Sequence, residues 1–148
     1  SVFGMVDTMN KIICLRLKYR TKSHGDDFFA ALRENPHDWD TFAILGDWLE
    51  EQGDPTAEMV REVIKRVGFA GTSIIFAVDH TRSQLHDLSI YLVRLIGNYQ
   101  RQLNEGGWLD GLKIEGIRQS HSNAKNRYEK AVLNIALIDR LLENLRSK

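Results

Sequence analysis

Proline is scarce in this chain: only Pro36 and Pro55 occur among 148 residues, and Cys14 is the single cysteine. So few prolines leave long stretches free to run as uninterrupted helix, and they deprive an all-β sandwich or barrel of its usual turn residues. One thiol excludes an intrachain disulfide and a cysteine-based zinc site, which suits a reducing cytoplasm. No stretch reaches the roughly 18 to 20 consecutive apolar residues of a membrane span, so no membrane partner is expected. A phosphate-binding loop is missing too. Gly68-Phe69-Ala70-Gly71 and Gly106-Gly107 have neither the P-loop spacing nor its lysine, so nucleotide hydrolysis is not indicated and no cofactor is expected.

Net charge is absent from the whole but not from its parts. Residues 1–25 carry five basic side chains and one acidic, residues 26–62 two and eleven, and residues 63–148 thirteen and eight. An acidic stretch between two basic ones implies charge pairing within or between molecules, or a basic surface for an acidic partner.

What is present is helical periodicity. The basic segment 1–25 is ambiguous: Ile13, Leu15, Leu17 and Tyr19 alternate as in a strand, while Val6, Met9, Ile13 and Leu17 also fit one helical stripe. After it, a helix burying Phe28, Phe29 and Leu32 ends before Asn35-Pro36. Asp38 is placed to cap a second, whose stripe is Trp39, Phe42, Leu45, Trp48 and Leu49, with Gly53 suited to the left-handed residue past its end. Asp54-Pro55 supplies an N-cap acceptor and a ring fixed at helical φ for a third helix to about Val67. Ile74, Val78, Leu85, Leu88, Leu92, Leu95, Ile96, Tyr99 and Leu103 then recur at spacings of three and four. Beyond Glu105-Gly106-Gly107 a second long pattern carries Ile117, Ala124, Tyr128, Ala131, Ile135, Ile138, Leu142 and Leu145. The expected architecture is all-α: a compact three-helix module over 26–70, followed by a long antiparallel helical hairpin over 72–148.

The segment Gly46 to Pro55, GDWLEEQGDP, joins the acidic end of one helix to the proline start of the next. With the apolar helix before it and the amphipathic one after, it resembles the repeat-companion domain family of Planctomycetes and Myxobacteria, whose usual form is ADWLEERGDP. The resemblance covers about residues 26–66. It rests on Asp47, Trp48, Leu49, Glu50, Glu51, Gly53, Asp54 and Pro55, and departs at Gly46 for alanine and Gln52 for arginine. It implies a small helical domain of a bacterial family with no established activity.

Catalytic constellations are thin. Asp79-His80 and His86-Asp87 lie about 10 Å apart along one helix, too far to share a metal ion. Asp47, Glu50 and Glu51 fall on regular helix, where backbone carbonyls are already bonded and cannot complete a calcium loop. No catalytic, cofactor or metal residue is assigned, and an enzyme is not expected. Trp48 is expected in the core, its indole N–H bonded to a carbonyl or carboxylate.

Arms of about 30 residues, roughly 45 Å at 1.5 Å per residue, exceed what a three-helix module can cover. The expected function is therefore a non-catalytic interaction module, an adaptor or accessory subunit, that binds another protein or a second copy of itself. The expected contact is the hairpin seam: Leu85, Leu88, Leu92, Leu95, Tyr99, Tyr128, Ile135, Ile138 and Leu142. The alternative is contact with nucleic acid through Arg118, Lys125, Arg127 and Lys130.

Overall fold

In the computed structural model the described residues are 25–67, 71–107 and 110–147. They form five α-helices: α1 (Gly25–Glu34), α2 (Trp39–Glu51), α3 (Thr56–Val67), α4 (Ile74–Glu105) and α5 (Gly111–Arg146), with no strand among the described residues. The fold is all-α, with α4 and α5 forming the long hairpin. The ambiguous segment 10–20, the rest of the basic segment before Gly25 and Cys14 lie outside the described residues.

Local chemistry sets the breaks between the short helices. Asp38 caps α2, its carboxylate accepting from the Thr41 N–H at 3.1 Å and the Thr41 hydroxyl at 2.7 Å. Past the end of α2, Gly53 takes φ +71°, and the Asp54 N–H closes back on the Leu49 carbonyl at 2.9 Å. Asp54 then starts α3, its carboxylate accepting from the Thr56 N–H at 2.9 Å.

Contacts divide the chain into two compact units. One joins the described residues up to Thr81 to those from Leu137 onward; the other is Arg82–Ala136. The sequence reading placed this division in the loop near residue 70, whereas it falls within α4 and α5. In the first unit α2 packs on both α1 and α3. Its core is built from Phe28, Leu32, Phe42, Leu45, Met59, Val60 and Val63, with Ile74, Val78, Ile138, Leu141 and Leu145 from the long helices also fully buried. Polar ties hold those long-helix ends to α1, α2 and the turn between them. The Ile74 N–H donates to the Pro36 carbonyl at 2.8 Å, the Trp39 indole to the Thr72 carbonyl at 2.9 Å, and Arg33 to the Asn144 carbonyl at 2.7 Å.

Within the second unit α4 runs unbroken through Gly97. Leu85 and Leu92 are the only large side chains buried there among the described residues, beside the smaller Ser89, Ala124 and Ala131.

Candidate interaction surface

The motif between α2 and α3 is explained by the fold around it. Arg61 on α3 pairs with Glu50 and, at 3.7 Å, with Asp47, so two carboxylates of the motif face a guanidinium. The hydrogen bond from Arg61, with its charge, holds the Glu50 carboxyl below its ordinary value against a small opposing effect of desolvation. Partial burial would raise the Asp54 carboxyl, but hydrogen bonds from Thr56 and the charge of Arg140, 3.4 Å away, outweigh it and hold the group low. Some of the charge segregation is thus resolved within the molecule: Arg140 of the basic segment 63–148 faces Asp54 of the acidic one, while Arg146 faces Asp79 of its own segment at 3.8 Å.

Trp48 is half-buried rather than enclosed, tilted against Phe28 with ring centroids 5.9 Å apart and lying over Gly25. Trp39 ties elements together through its indole hydrogen bond to Thr72, and it also meets Phe42 edge-on. Leu49 is core, and Gly53 and Pro55 shape the turn. His80 stacks on Phe76, ring centroids 6.1 Å apart. Among the described residues no group of three or more His, Cys, Asp or Glu side chains is placed to hold a metal ion.

The expected partner-binding seam is largely closed on itself. Leu85 and Leu92 are buried within the second unit, and Ile138 and Leu142 within the first; Leu88, Leu95, Tyr99, Tyr128 and Ile135 are half-buried. The four buried residues are closed to a partner, whereas the five half-buried ones keep part of their surface accessible. More exposed are Ile90, Tyr91, Val93, Leu112, Val132 and Leu133, none of which sits on the seam. Sequence reading missed them because a search for one stripe passes over apolar residues beside it; the signal was the doublets Leu92-Val93 and Ala131-Val132.

Their placement is not random. A residue one position after the seam is rotated about 100° from it, and residues four after or three before the seam turn towards the same side. In an antiparallel pair of right-handed helices this direction is the same face for both strands of the hairpin. Val93 and Ile96 on α4 therefore share a face with Tyr128, Val132 and Ile135 on α5. By the same geometry the opposite face combines Leu88, Tyr91 and Leu95 with Arg127, Lys130 and Asn134, and is polar along α5.

The four basic residues considered for nucleic acid do not form one track. All are exposed, but the helical rotation puts Arg118 and Lys125 on one side of α5 and Arg127 and Lys130 on another, and Arg118 faces Glu115 at 3.7 Å. No described helix is long and apolar enough to cross a membrane. No protein-family model, curated protein or solved structure matches the chain.

Proposed function

We propose that this chain is a non-catalytic, cytoplasmic interaction module, an adaptor or accessory subunit that docks through the Arg82–Ala136 hairpin on another protein or on a second copy of itself. The observation that carries this reading is the imbalance in that unit: among its described residues two large side chains are buried, against six large apolar ones exposed. Helices draw most of their stability from burying an amphipathic face, and a unit with so little core gains more from a partner than one already closed. The acidic motif is assigned a structural role, and helices α1 to α3 are read as a divergent module of the repeat-companion type on the strength of residues Asp47 to Pro55.

The test is affinity capture by the full chain from nuclease-treated lysate of its native host, comparing the wild type with Val93→Glu/Val132→Glu. A binder retained by the wild type and lost by the variant supports the reading; identical capture profiles, with no difference in self-association, oppose it. Capture that disappears with nuclease would favour the alternative, a nucleic-acid accessory protein using Arg118, Lys125, Arg127 and Lys130.

A further inference from the structure

We infer that the occupant of the Val93 and Val132 face is the same face of a second copy, the two hairpins closing a four-helix bundle about a two-fold axis. This rests on the interaction-module reading and names its partner.

Three observations support it. First, both helices put apolar residues on this face, whereas on the opposite face, where α4 carries Leu88, Tyr91 and Leu95, α5 is polar. Val93, 51% exposed, and Val132, 45% exposed, stand beside half-buried Ile96, Tyr128 and Ile135, whereas the opposite face presents Arg127, Lys130 and Asn134 along α5. Half-buried residues flanking a seam are what a four-helix core looks like with two of its helices removed, since each bundle helix needs a wider apolar stripe than a two-stranded coil. Second, the size is adequate. The arms Arg82–Glu105 and Gly111–Ala136 have 24 and 26 residues. At 1.5 Å per residue they extend about 36 to 39 Å, and two helices side by side are about 20 Å across, a face of roughly 700 to 800 Å². A stable complex buries about 800 Å² per partner. Third, both helices contribute to the face, so it can meet itself without a separate complementary surface, as an isologous contact requires.

Charge separates this occupant from the others. Residues 82–136 carry eight basic side chains and five acidic. Two such units repel weakly, so salt will not loosen the pair, whereas an acidic protein or a nucleic acid held by the same residues would be released by salt.

Sedimentation equilibrium of the full chain from 1 to 100 μM tests the inference, with circular dichroism on each sample. The expected result is a dimer that persists from 0.05 to 0.5 M NaCl, with Val93→Glu/Val132→Glu raising its dissociation constant at least 100-fold while helicity is retained. Lys130→Glu, on the opposite face, should change it less than threefold. Because a double charge insertion could disturb folding, a spin label at Val132→Cys in a Cys14→Ser background gives an independent readout: inter-copy distances should be short there and longer for a label at Lys130→Cys. A helical monomer at 100 μM overturns the second-copy inference, as does a dimer indifferent to the Val93/Val132 change or one dissolved by salt. If the monomer still captures a protein in a Val93/Val132-dependent way, the interaction-module reading stands and only its partner changes. If that capture is also indifferent, both fail.

Discussion

Gly46 of α2 lies so close to Val60 of α3 that a β-carbon at position 46 would stand 2.9 Å from Val60 Cγ1. Both residues are buried, and Val60 is β-branched with little rotamer freedom, so neither can yield cheaply. At this point the helices approach too closely for a methyl group. Replacing Gly46 by Ala should lower stability by about 1 kcal/mol, the overpacking cost of about 1 to 3 kcal/mol being partly offset by better helix propensity. Denaturant unfolding of Gly46→Ala, Val60→Ala and the double variant checks this. The double variant should lose less than the sum of the singles, because Val60→Ala makes room for the methyl.

Asp54 joins two stabilising roles, capping α3 and facing Arg140. Asp54→Ala should cost about 1 to 2 kcal/mol, and Asp54→Asn less, since the amide oxygen still accepts from Thr56 while an exposed ion pair is worth at most about 1 kcal/mol. The sign of the pH dependence follows from the lowered folded-state pKa. The unfolded carboxyl titrates near its ordinary value of 3.8 and the folded one below it. Its contribution is therefore present above about pH 4 and is lost as the pH falls through the folded value. Acid unfolding curves of wild type and Asp54→Asn should converge at the lowest pH and separate above pH 4.

The Trp39 indole spans 33 residues to reach the Thr72 carbonyl, fixing α2 against the start of α4. Trp39→Phe keeps an aromatic ring against Phe42 but removes the donor, and should lower stability by about 1 to 2 kcal/mol. Hydrogen exchange should locate the loss: amides at the start of α4, including Ile74, which donates to Pro36, should exchange faster than those of α3.

Much of this architecture was legible because its signals are local. Asp38, Gly53 and Asp54-Pro55 each act within a few residues of themselves, so helix boundaries in the short-helix region could be read directly. The division between units was not, because the three-and-four period of α4 runs through Thr81 and Arg82 without change, and nothing local marks which side of that point meets α1 to α3. Which tryptophan bonds was not legible for a similar reason: a stripe holds both Trp39 and Trp48, but not which indole finds a carbonyl 33 residues away. At the candidate surface, periodicity found the seam but not its state. That Leu92 is already covered while Val93 is half open is decided by packing beyond α4 itself, which the period of one helix does not carry.

Adjacent residues on α4 should therefore respond in opposite ways. Leu92 is 0% exposed, and Leu92→Ala should cost about 2 to 5 kcal/mol through the cavity it leaves, Leu92→Glu more because a carboxylate would be buried without a partner. Val93→Ala removes a half-exposed side chain and should change the stability of a dilute sample by less than about 0.5 kcal/mol. With Leu85 and Leu92 the only large buried anchors among its described residues, the Arg82–Ala136 unit should open at lower free energy than the first unit. Hydrogen exchange at low and high protein concentration distinguishes the two residues. Leu92→Ala should abolish protection of residues 82–136 at both concentrations, while Val93→Glu should leave the low-concentration pattern of the wild type and remove only the protection gained on concentrating. Equal effects of the two substitutions would mean that Val93 is a core residue, and the surface assigned here would not exist.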